Sequence, residues 1–126
     1  MNPFGHGFGP VSTKMWGAFV KNQSARGLDN NITNRLRSLL EQNRQLEDIH
    51  EEKNMMRYKT EDVKLGKAAV SNTMYGFYSM KSILTPIIGA TSEEYDKMID
   101  VFGKELEDND SYLDLSRVYG RKKENI

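Results

Sequence analysis

With 126 residues the chain has room for one domain, and its 37% hydrophobic and 29% charged residues leave much of it for water or for partners. The absence of cysteine removes disulfides, thiolate metal sites and cysteine nucleophiles in one step. Net charge is zero at pH 7, yet residues 1–28 carry three cations and no acid, whereas residues 91–110 carry eight acids against two lysines. A dipolar chain of this kind favours self-association or docking onto a mixed-charge protein over a broad nucleic-acid footprint.

Residues 1–28 read as an extended arm. Gly5, Gly7, Gly9, Pro3 and Pro10 punctuate its start rather than propagating a regular element. Phe4, Phe8, Trp16 and Phe19 are spread along it, and they either fold back onto the domain or, as typical interface anchors, enter pockets on another subunit.

From Asn31 to Tyr58 apolar residues recur every three or four positions: Ile32, Leu36, Leu39, Leu40, Leu46, Ile49 and Met56. This predicts a long amphipathic helix over 31–58, capped by Asp29, Asn30 or Asn31, with a charged outer face. Thr60 is expected to cap a second helix over 60–85 and so close an antiparallel hairpin; without that break, 31–85 would be one rod.

The second helix is the centre of the expected fold. Gly66, Ala69, Thr73 and Gly76 make a stripe of small residues, and Val70, Met74, Phe77 and Leu84 make a bulkier one. A helix apolar on two sides sits between neighbours, and the small stripe would let one neighbour's backbone come close. Pro86 is expected to end it near Leu84. Thr91-Ser92-Glu93-Glu94 then spells a capping box, opening a third helix over 91–107 that buries Tyr95, Met98, Ile99, Phe102 and Leu106. Residues 111–126 read as a short helical tail, stopping at Gly120 before the basic Arg121-Lys122-Lys123.

Nothing in the sequence assembles catalytic chemistry. His6 and His50 lie far apart, and Glu47-x-x-His50 occurs once where a di-metal helical site needs it twice. Asp108-Asn109-Asp110 lacks the continuation of a calcium loop, and the glycines of Phe4-Gly5-His6-Gly7-Phe8-Gly9 have the wrong spacing for a phosphate loop. No catalytic, cofactor-binding or metal-ligating residue is expected, and no cofactor.

The expected fold is therefore all-α: a three-helix bundle, or a long helical hairpin plus a third helix, with an extended N-terminal arm. Its parts are an arm over 1–28, a helical domain over 29–110 and a basic tail over 111–126. The expected function is that of a non-enzymatic assembly subunit, bound to copies of itself or to other protein chains. Partner contacts fall on Phe4, Phe8, Trp16 and Phe19 of the arm and on Gly66, Ala69, Thr73 and Gly76 of the central helix. Two rivals are a virion-type subunit that packages nucleic acid and a helical module lying on a membrane surface. The expected location is intracellular and cytoplasmic.

Overall fold

A computed structural model describes residues 5–124. Among them, five α-helices, a short 3₁₀ turn and a three-stranded antiparallel sheet make a mixed α/β fold. Strand β1 is Gly5–His6, followed by helix α1, Pro10–Ala25. A 3₁₀ turn, Ile32–Arg35, runs into α2, Leu36–Gln42, and β2 spans Leu46–Arg57. Helices α3 (Val63–Ser79), α4 (Lys81–Ile88) and α5 (Ser92–Asp108) come next, and β3, Tyr112–Lys122, closes the sheet in the order β1-β3-β2.

The all-α expectation is overturned by that sheet. The helical spacing read over 31–58 ends at Gln42, because Asn43 turns its side chain onto the chain ahead, its Oδ1 accepting from the Gln45 amide at 3.0 Å. Such asparagine turns compete with a continuing helix. Beyond it the chain is extended and pairs with β3, with Met56 opposite Leu113 and Glu52 opposite Arg117. Met56 and Leu113 pack against the core, which is what a strand of otherwise charged residues gains from pairing. Charges cancel across the ladder: Arg117 reaches Glu52 at 2.6 Å, and Arg121 reaches Asp48 at 2.9 Å and Glu47 at 3.2 Å. A register shift between Glu47 and His50 marks a bulge, with Asp48 at φ 52°. The tail expected as a helix is the other half of this ribbon, so the hairpin or rod of helices does not form.

The extended N-terminal arm is corrected as well. Residues 10–25 are helix α1, started by Pro10, whose missing amide is no loss in a first turn. Met15, Trp16 and Ala18 of α1 are buried in the core with Tyr58, Val70, Phe77, Leu84, Tyr95, Ile99, Phe102 and Leu106. Trp16 meets Phe77 edge-on with ring centroids 5.0 Å apart, and Phe77 meets Phe102 at 4.9 Å. Before the helix, Gly7 adopts φ 70°, and a Cβ there would collide with the Asp110 carbonyl. Only glycine lets β1 return beside β3.

Helix α5 forms where its capping box places it. Thr91 Oγ1 accepts from the Glu94 amide and Glu94 Oε1 accepts from the Thr91 amide, both at 3.2 Å. The Thr91 amide, and after it the Thr91 hydroxyl, hold the Glu94 carboxyl below its ordinary pKa by hydrogen bonding to the charged form. Tyr95 next to it is fully buried and donates to the Phe77 carbonyl at 2.6 Å; burial pushes its hydroxyl up to about 12.

The central helix differs from expectation at both ends. Asp62, not Thr60, caps it, with Oδ1 accepting from the Leu65 amide at 3.1 Å. It breaks at Met80, and α4 continues through Pro86 to Ile88, closed by Gly89 at φ 79°. Burial on α3 falls on Gly66, Val70 and Phe77, whereas Leu65 is 62% exposed and Tyr75 75% exposed. Within this chain the helix is covered on one side.

The two glycines of the small stripe meet different surroundings. At Gly66 a Cβ would lie 2.6 Å from the Tyr58 carbonyl oxygen, so the end of β2 is held against bare helix backbone. At Gly76 a Cβ would meet nothing within 4 Å. Gly66→Ala is therefore expected to cost about 1–3 kcal/mol through backbone displacement. Gly76→Ala should instead gain about 0.5–1 kcal/mol from helix propensity alone. Urea denaturation of the two variants checks the pair, and equal effects would contradict the placement.

Candidate partner-binding surface

Helix α3 enters the fold beneath the end of β2, and its outer side carries Leu65, Ala68, Asn72 and Tyr75 at steps of three and four. These residues stand on one face of the helix and all are exposed. Alongside runs the rim of β2, where Met55 is 53% exposed. Between helix and strand lies a groove of about 610 Å³, lined by Met55, Met56, Leu65, Ala68, Ala69 and Leu115 among others. The groove forms because α3 is anchored at the strand's end by the Gly66 contact and then packs on α5, away from the ribbon.

Leu115 belongs to a second cleft too. This one holds about 650 Å³ and is walled by Trp16, Phe19, Leu28, Ile32 and Leu113. Leu28 and Ile32 are 50% and 40% exposed. One side of the β2–β3 ribbon thus presents two apolar hollows that meet at Leu115, each with large side chains open to water. Grouped exposed apolar side chains of this kind accompany protein or membrane contact sites and ligand grooves.

The residues expected to bind a partner are dispersed among different roles. Phe4 lies outside the described residues. Phe8 packs against the core, with its ring 6.0 Å from Trp16. Trp16 is 9% exposed; with the half-buried Phe19 it walls the second cleft. Gly66 is closed over by Tyr58, and Thr73 shares a 2.9 Å hydrogen bond with the Tyr58 hydroxyl. Ala69 lines the first groove, and Gly76 faces open space. Trp16, Phe19 and Ala69 thus border the open hollows, whereas Phe8, Gly66 and Thr73 serve packing within the chain.

Leu65, Tyr75, Met55 and Leu115 were not among the partner contacts expected from the sequence. The first two had a signal, since Leu65, Ala68, Asn72 and Tyr75 form a third helical stripe beside the two already read. Met55 had none, and the alternation of Leu113 with Leu115 was passed over while that segment was taken as helix.

Titratable groups are scattered. His6 pairs with Asp114 Oδ2 at 2.6 Å and stacks on Tyr112, while His50 stacks on Tyr119 at the far end of the ribbon. Among the described residues no three His, Cys, Asp or Glu side chains come together as a metal site, and no helix is long and apolar enough to cross a membrane. Comparison with known protein families, curated proteins and solved structures found no match to the chain.

Proposed function

We propose that the protein is a non-enzymatic assembly subunit that holds other protein subunits on the side formed by the rim of β2 and the outer face of α3. The observation that carries this reading is the grouping of exposed Met55, Leu65 and Leu115 around one apolar groove, with exposed Tyr75 further along the same face of α3. Burying such side chains is favourable at about 25 cal/mol per Å², and a tyrosine flanked by aliphatic residues is a common anchor of a docking surface. The partners are copies of this chain or other proteins in a larger complex. A reducing, cytoplasmic setting suits a chain without cysteine.

The packaging reading is weaker on the same geometry. Arg117 and Arg121 of the basic tail are already turned onto Glu52, Glu47 and Asp48. A phosphate backbone would have to displace those carboxylates.

Leu65→Glu with Tyr75→Glu tests the proposal, because both positions are exposed and the fold does not depend on them. The double variant should keep its circular dichroism and thermal midpoint. Its native complex in extracts of the producing cell should weaken by roughly tenfold to a hundredfold, releasing a 14.5 kDa monomer on size exclusion. A complex of unchanged mass would reject the reading.

A further inference from the structure

Strand β2 is the longer of the two outer strands of the sheet. Its ladder decides which backbone groups turn outward. The Tyr58 amide donates to the Ser111 carbonyl at 3.2 Å, and pairing runs in one register from His50 opposite Tyr119 to Arg57 opposite Tyr112. The even-numbered residues from His50 to Tyr58 therefore bond to β3. Glu51, Lys53, Met55 and Arg57 point their N–H and C=O groups away from the sheet. Among the described residues none of these four has a backbone partner on that outer side. A long open edge is a template for another strand.

We infer that the strand added there is β2 of a second copy, running antiparallel about a two-fold axis at Asn54. This rests on the assembly reading above and names the partner. An axis perpendicular to the sheet sets one residue opposite itself, and charge decides which one. Centring on Glu51, Glu52 or Lys53 opposes like charges at the axis itself. Centring on Met55 sets Arg57 against Lys53 of the second copy. Centring on Glu52 also draws in the bulge, placing Asp48 opposite Met56. Centring on Met56 pairs only Met55 to Arg57 of the strand, so the Asn54 axis is the one that joins the whole stretch from Glu51 to Arg57 without a conflict. It sets Glu51 against Arg57 of the second copy on both sides of the axis, Lys53 against Met55, and Asn54 against Asn54.

Neither charged position has a close counter-charge of its own among the described residues. Arg57 lies over the Tyr112 ring at 5.0 Å and has no carboxylate within salt-bridge distance among the described residues. The Glu51 side chain, 21% exposed, meets Lys53 of its own strand only loosely, at 3.7 Å, and lies within electrostatic reach of Arg37 on α2. Pairing would give both a direct counter-charge, and would extend the three-stranded sheet across the two copies. It would also bring a second set of apolar hollows beside the first.

Sedimentation of the purified full chain from about 1 µM to about 1 mM reads the outcome. The mass should rise from 14.5 kDa towards twice that value. Glu51→Arg and Arg57→Glu, each alone, should shift the midpoint at least tenfold to higher concentration. Mixing Glu51→Arg chains with Arg57→Glu chains should restore it, because each variant then opposes unlike charges. Recovery on mixing also shows that both variants fold. A wild type that stays monomeric throughout, a dimer indifferent to both substitutions, or a mixture that fails to recover overturns the inference. If the wild type is monomeric while the Leu65/Tyr75 variant still loses its complex in extracts, the second copy is rejected and the assembly reading stands.

Discussion

Trp16→Ala should cost about 3–5 kcal/mol, a large share of the roughly 5–15 kcal/mol that holds a domain together. The ring is the hub of the core. Phe77 stands edge-on to it at 5.0 Å, Phe19 at 5.6 Å and Phe102 at 6.4 Å, with Phe8 tilted at 6.0 Å. Removing it leaves a cavity bounded by α1, α3 and α5, whose helices cannot close on it without breaking the Phe77–Phe102 contact. A thermal midpoint lowered by roughly 10 °C or more, with an unchanged urea slope, is the expected result. A loss below about 1 kcal/mol would mean that α1 is a detachable arm after all. Removal of the first 20 residues should likewise unfold the chain instead of merely lowering the mass of a complex.

What was legible follows from where the interactions are local. The Thr91–Glu94 box satisfies two amides within one turn, so four residues suffice to place the start of α5. Val70 and Phe77 of α3, and Tyr95, Ile99, Phe102 and Leu106 of α5, were readable as core because helical spacing records one buried side directly. The ribbon was not readable in that way. Leu46 to Arg57 holds acids and bases at most positions, and its helical spacing of Leu46, Ile49 and Met56 is accidental. What makes it a strand is a partner some sixty residues away, through Met56 with Leu113 and Arg117 with Glu52. Tyr112 to Tyr119 did carry a signal, since Leu113 and Leu115 alternate and Tyr and Val favour strands.

Helix α1 was legible and was obscured by its glycines. Pro10 just inside the start and Gly27 just past the end are the usual asymmetry of a helix, and Val11, Met15 and Phe19 fall at intervals of four. The glycines before it looked like a flexible leader, yet Gly7 and Gly9 are there because other backbone and side-chain atoms occupy the space of a Cβ. Packing, which no window of sequence displays, set their identity. The same holds for the candidate surface: exposure of Leu65 and Tyr75 depends on α5 taking the opposite side of α3 and on β2 stopping at its rim.

Glu105→Ala should cost about 2–3 kcal/mol, although this residue sits in an acidic stretch that reads as a solvated helix face. Its carboxylate spans from α5 to the start of α1. Oε1 accepts from the Ser12 amide and from the Ser12 hydroxyl, both at 2.8 Å, and Oε2 accepts from the Val11 amide at 3.2 Å. Helix α1 has a glycine at its N-cap and no acid in its first turn, so its positive end is served from another element. Ser12 is fully buried and would be left with an unsatisfied hydroxyl. Glu105→Gln keeps the acceptor and loses the charge, and should cost about 1 kcal/mol. A Cβ on Gly9 would lie 2.6 Å from the Glu105 carboxyl carbon, so Gly9→Ala should destabilise the native chain and do much less in the Glu105→Ala background. A double-mutant cycle by urea denaturation measures that coupling; additive effects would show that the carboxylate does not hold α1 in place.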